Sequence, residues 1–336
     1  MAGKRDPIER AADSEADLYD VSTWEPRTRI DRLSAWLYAM IAYGLHAIVL
    51  AVAVLITLSL LASPTVLVLE EPLIGIFFAL SVVPAALLAG YIWYTDITTS
   101  EPLPLLVGTF VLAVLFATFA AVTNTVGGAF LQPIPVIGTI LFFYLVVGPV
   151  EEAVKLLAVR VFAYRSETFD AVIDGAVYGA IAGLGFAAIE NVLYITGDVG
   201  TVAPETSIFA AATGITTTRA LAGPGHVIYS AIAGYYLGLA KFNPEHAGPL
   251  VVKGLLIASF VHGTYNVTVQ IAPPLINALW GLGPGLSVVI YVIAFDVVIG
   301  YYLYRKISRY RQTYRAVRDD LDDHGPELTE FEPGSR

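Results

Sequence analysis

Long apolar runs dominate the chain, and they recur at the length a membrane helix requires, about 20 residues. Candidate spans lie at 34–62, 72–94, 103–128, 136–163, 171–196, 225–241, 249–271 and 285–304. The pattern predicts an all-α, polytopic helical membrane bundle of about 8 transmembrane helices. The stretch from Glu205 to Gly223 is less apolar, rich in Thr and Gly, and carries Arg219. It is expected to be a ninth span, or a re-entrant or surface segment. Residues 1–33 and 305–336 are polar and charged. They read as solvated tails around a membrane domain at 34–304, the first of them disordered.

Positive charge chooses among topologies, because Lys and Arg near span ends favour the cytoplasmic side. Arg27, Arg29 and Arg32 precede the first span, and Arg160 and Arg165 follow the fourth. Lys241 and Lys253 flank the connection from sixth to seventh, and Arg305, Lys306, Arg309 and Arg311 follow the last. Eight spans put every cluster on one side, with both termini cytoplasmic and the Arg219 segment outside. A ninth span would separate the terminal clusters. A multi-pass protein of the cell membrane, surrounded by lipid bilayer, is therefore expected.

Composition sharpens this reading. Only 14% of residues are charged and 56% are hydrophobic, whereas soluble domains use about 25% charged residues. Roughly thirty polar residues ahead of the first span argue against a cleavable signal peptide. The absence of cysteine excludes disulfides, thiolate catalysis and cysteine metal sites. The net charge of −10 comes largely from tail runs such as Asp319, Asp320, Asp322 and Asp323, read as solvated. No nucleic-acid partner is expected of such a chain.

Ionisable side chains within spans are expensive and usually functional. The fourth span holds Glu151, Glu152 and Lys155 in GPVEEAVKLLAV. Adjacent helical residues point about 100° apart while i and i+4 share a face, so one glutamate can pair with Lys155 while the other faces a site. The fifth span holds Asp174 near its start, expected to cap or to pair with a base, and Glu190 with Asn191 deeper in. His226 opens the sixth span; His262 lies in the seventh, with Asn266 one turn on. At about 1.5 Å per residue, Glu190, His226 and His262 fall in the outer half of the membrane and Glu151 and Glu152 nearer its middle, which makes one region. His46 and Asp296 lack such company and read as polar packing residues. Gly175, Gly179 and Gly183 form a small-residue face for close helix approach.

The strings EEAVK (151–155), DGAVYGAIAGLGFAAIEN (174–191), Arg219 followed by GPGH (223–226) with Gly234, and HGTYN (262–266) resemble the PrsW-type intramembrane proteases. That family is distantly related to the CAAX prenyl endopeptidase and Abi group, and the match covers about 150–266. The resemblance implies a polytopic endopeptidase, often described as a metalloprotease, with Glu151, Glu152, Glu190, His226 and His262 as the essential set. Family members are similar to site-1 proteases that cut membrane-anchored anti-sigma factors, and a single-span or membrane-anchored protein is the substrate expected here. The Abi group has histidine where Glu190 stands.

The expected chemistry is attack by an activated water. One of Glu151 and Glu152 acts as base, Asn266 stabilises the oxyanion, and Lys155, Asn191 and Arg219 support them. In the metal version Glu190, His226 and His262 hold one Zn²⁺; in the alternative a histidine shares the proton work without metal. No HExxH motif is present. A proton- or ion-coupled transporter is the rival reading, although no internal repeat supports it; a membrane scaffold is a third.

Overall fold

The structure, a computed structural model, describes residues 17–20, 23–98, 100–200 and 208–324. Side chains of residues 42, 46, 200, 208–210 and 319–324 fall outside that set, and so do the sequence readings of His46 and of the acidic run at 319–323. Two units are described, residues 1–54 and 55–336.

In the first unit, helix α1 (Arg29–Glu70) begins. Thr28 and Asp31 form a reciprocal cap: the Asp31 carboxylate accepts the Thr28 N–H at 2.7 Å and the Thr28 hydroxyl accepts the Asp31 N–H at 3.2 Å. Tyr19 donates its hydroxyl proton to the same carboxylate. The helix thus starts inside the segment expected to be a tail, because its capping residues are themselves polar.

The second unit continues α1 and adds α2 (Pro72–Tyr94), α3 (Leu103–Leu131), α4 (Ile137–Phe142), a π-helical turn (Phe143–Val147) and α5 (Gly148–Val161). After these come α6 (Val172–Gly200), α7 (Ile208–Phe242), α8 (Ala247–Thr268), α9 (Ala272–Trp280) and α10 (Pro284–His324). Each of the eight expected spans falls on a helical run. Among the described residues, six helices are long and apolar enough to cross a membrane. Of the two remaining runs, α4 through α5 is divided by the π turn into pieces of 6, 5 and 14 residues, and α7 carries Arg219 and His226 among its apolar residues.

Two boundaries differ from expectation. From Ile208 onward, the ambiguous segment is neither a separate span nor a surface piece but the first half of α7, a single helix of 35 residues. Pro224 lies within it and costs a backbone hydrogen bond. Packing of Ala212 with Ile74, Ile195 and Val199, and pairing of Arg219 with α6, hold the helix together across that point. Residues 205–207 lie outside the described set. At the other end, α10 runs on from the last span to His324, so the charged tail begins as helix.

Helix α6 is the centre of the bundle: 78% of its apolar window is buried, against 17% for α10. Its glycines explain how. A Cβ at Gly175, Gly179 or Gly183 would lie 2.2, 2.3 or 2.4 Å from the carbonyl oxygens of Gly234, Ser230 and His226 on α7. Only hydrogen at those positions lets the two backbones meet, as the small-residue face predicts.

Candidate active site

The π turn lies directly before Gly148 and Pro149 and resets the phase of α5; such turns are frequent at functional sites. Gly148 packs on α8, where a Cβ would lie 2.6 Å from the Ser259 carbonyl oxygen. This contact sets Glu151 and Glu152 beside His262.

Glu152 is fully buried and fully used. Its Oε1 accepts from Lys155 Nζ at 2.7 Å and from His262 Nδ1 at 2.9 Å, and its Oε2 accepts from Ser230 Oγ at 3.1 Å. Lys155 also contacts His226 Nδ1 at 2.9 Å and lies over the Phe186 ring at 4.3 Å. An ammonium only donates, so this contact makes His226 Nδ1 an acceptor and leaves its Nε2–H to donate to Glu190 Oε2, 2.9 Å away. The same logic makes His262 Nδ1–H the donor to Glu152 and frees the Nε2 lone pair.

Glu151 is different. Asn124 Nδ2 donates to its Oε1 at 3.0 Å, while its Oε2 is buried with no hydrogen-bond partner. That oxygen lies 3.7 Å from His262 Nε2 and 3.8 Å from Lys155 Nζ. The lysine's close partner is therefore Glu152, one turn back, and Glu151 is the glutamate left to face open space. A cavity of about 730 Å³ is lined by Glu151, Glu190, Arg219, His226, His262 and Asn266, but not by Glu152 or Lys155.

Glu190 meets Arg219 at 2.5 Å as well as His226. Arg219 donates Nε–H to Asn191 Oδ1 at 2.9 Å and stacks over Tyr194. Asn191 in turn donates to the Ser81 carbonyl at 3.0 Å, tying this arm to α2. All nine residues singled out in the sequence thus belong to one connected cluster or to its cavity. Asp174 instead caps α6, accepting the N–H groups of Asp170 and Ala171 at 2.8 Å each. Asp296 keeps a buried oxygen without a partner.

Sequence reasoning missed Asn124, Ser230, Phe186 as the lysine's platform, and Tyr229, whose ring lies 5.4 Å from that of His262. Asn124 was the findable one, an amide within an uncharged span.

The ligand atoms of Glu151, His226 and His262 all lie within 4.8 Å of one another. Carboxylate and imidazole are metal donors, and the unpartnered Glu151 Oε2 and the free His262 Nε2 are ready to bind. His226 would join by exchanging one of its two contacts. The donor set fits a divalent cation, and it draws on Glu151 where the sequence reading used Glu190.

A helical membrane bundle with a buried acid–imidazole centre opening on a cavity is the architecture of a membrane-embedded hydrolase. The family model described as PrsW family intramembrane metalloprotease matches residues 101–299, more than half of the chain. The chain belongs to this family, and it is a multi-pass membrane protease. It is 28% identical over 192 residues to Protease PrsW of Bacillus subtilis (strain 168), covering 55% of this chain and 78% of that protein. Protease PrsW of Geobacillus kaustophilus (strain HTA426) is 29% identical over 188 residues, with coverages of 55% and 76%. That of Oceanobacillus iheyensis is 28% identical over 207 residues, with coverages of 59% and 88%. No solved structure matches.

Proposed function

We propose that the protein hydrolyses a peptide bond of a single-span or membrane-anchored protein, with Glu151 taking the proton of the attacking water. The observation that carries this reading is Glu151 Oε2, buried, unpartnered, on the cavity wall and 3.7 Å from a free His262 Nε2. A base needs an uncommitted lone pair beside the space a water would occupy, and Glu151, a cavity-lining residue, has one. Glu152 has none to spare, so it acts by holding His262 through Nδ1, an arrangement that fixes tautomer and ring orientation. His262 Nε2 shares the proton with Glu151 and passes it to the leaving amine. Asn266, on the same wall, donates to the developing oxyanion. Glu190 and Asn191 aim the Arg219 guanidinium, and Lys155 neutralises Glu152.

In a metal-bound form Glu151, His226 and His262 are the residues that would hold the ion, with Zn²⁺ the best match to one carboxylate and two imidazoles, and Glu151 Oε2 and His262 Nε2 would then be ligands in place of their proton-carrying roles. When bound, the ion polarises the scissile carbonyl and lowers the pKa of its water.

The apolar walls contributed by Phe186, Ile189 and Leu193 suit a substrate that arrives as a membrane segment; an anti-sigma-factor-like regulator is one such substrate. With both termini in the cytoplasm of a cell-membrane protein, the cluster opens toward the outer half of the bilayer. The family assignment favours this reading over a coupled transporter.

The test is reconstitution in liposomes with a library of single-span reporters. Cleavage by the wild type and none by Glu151→Gln is expected, with zinc content measured alongside. Uncut reporters throughout would defeat the reading. Full activity in chelator without stoichiometric metal would defeat its zinc part and leave Glu151 and His262 to do the proton work alone.

A further inference from the structure

A second cluster of acids lies at the opposite end of α6. Asp96 follows α2, Glu101 precedes α3, and Asp174 stands in the first turn of α6; each offers a carboxylate oxygen, and the three lie within 4.8 Å of one another. Each carboxylate is half used. Asp96 Oδ1 accepts from the Thr98 N–H and hydroxyl at 2.9 and 2.7 Å. Glu101 Oε2 accepts from the Tyr178 hydroxyl, and Asp174 Oδ2 accepts the two α6 cap N–H groups. The other oxygens, Asp96 Oδ2, Glu101 Oε1 and Asp174 Oδ1, are buried and have no partner. Glu101 is 4% exposed and Asp174 0%.

Orphaned buried carboxylate oxygens are costly, and three acids this close also repel one another. No ion pair relieves them: among the described residues none of the three has a Lys, Arg or His within salt-bridge distance. Lys241, whose charge interacts with Asp174 and Glu101 from beyond salt-bridge distance, spends its ammonium on the carbonyls of Tyr164 and Ser166.

We propose that Asp96, Glu101 and Asp174 form a binding site for a hard divalent cation, Ca²⁺ or Mg²⁺, which ties the α2–α3 connection to the start of α6. The all-oxygen donor set selects hard ions over zinc. From Asp174 to Glu190 the helix rises about 24 Å, so this site is separate from the protease centre. Its role is to fix one end of the helix that carries Glu190.

The experiment uses the full-length protein in detergent, stripped with chelator, in a Glu151→Gln background so that the protease centre lacks a ligand. Addition of 1 mM-scale Ca²⁺, with Mg²⁺ in a parallel arm, is expected to raise the melting temperature by several degrees. Tb³⁺ is expected to give Tyr-sensitised luminescence that Ca²⁺ displaces, since Tyr178 touches the site. Glu101→Gln keeps an acceptor for Tyr178 and is expected to fold, to abolish both responses, and to melt no lower than its parent in chelator. Asp96→Asn serves as a second variant, leaving the α6 cap intact. Absence of any shift or luminescence in the parent, or responses in both variants equal to the parent's, would overturn the proposal.

Discussion

Two acidic side chains on α6, Asp174 and Glu190, stand in opposite electrostatic settings. Around Glu190, three carboxylates are answered by Lys155 and Arg219, with two imidazoles between them. Around Asp174, three carboxylates meet no protein cation at salt-bridge distance among the described residues. Buried charge has to be answered from somewhere. In the first cluster the protein supplies nearly all of the answer and leaves one glutamate oxygen free for chemistry. In the second it supplies backbone N–H groups of the flanking loops and hydroxyls, and the proposed cation would answer the charge itself.

The comparison can be broken most sharply at Glu151. Glu151→Gln is expected to lower reporter cleavage by about 10²–10⁴-fold, the usual contribution of a general base, with melting temperature held, as read by gel assay and thermal scan. A comparable loss in Glu152→Gln would exchange the roles of the two residues. Next comes Lys155→Met, which strands buried Glu152 and is expected to cost about 3–5 kcal/mol. Denaturation in detergent measures it, and the contrast with Glu101→Gln, where removing a charge costs nothing in chelator, is the point. Glu152→Gln is expected to lower activity by about 10–100-fold, the usual cost of losing an orienting partner. It acts through kcat more than KM, because it reaches the substrate only through His262.

Smallest is a paired test of the glycine seam. Gly175→Ala and Gly183→Ala each press a methyl onto the α7 backbone, for about 1–3 kcal/mol of stability. Only Gly183→Ala, which abuts the His226 carbonyl, is expected also to lower activity per folded molecule. Equal activities for the two would detach His226 from the reaction.

Much of this was legible in the chain. Apolar runs of the right length fell on helix at all eight expected spans, though not at α9, and the spacing of Gly175, Gly179 and Gly183 announced a close helix contact on α6. Acids and histidines inside those runs announced the site, because lipid tolerates such groups only for a reason. Periodicity could not say whether Glu151 or Glu152 takes Lys155. Both are within a turn of it, and the choice rests on the π turn that rotates α5 and on Ser230 and His262 arriving from α7 and α8. Nor could it say that α7 passes through Pro224 unbroken, since that helix is held by contacts with α2 and α6.

The sequence by itself determined the solvent, the helices and the chemical inventory, since each of these depends on side chains close together along the chain. Tertiary structure decided the pairings: which glutamate oxygen is free, that Glu190 is held by Arg219 and His226, and that Asp96, Glu101 and Asp174 converge. Charge balance in a buried cluster is a property of its three-dimensional neighbours, and here those neighbours come from helices far apart in sequence.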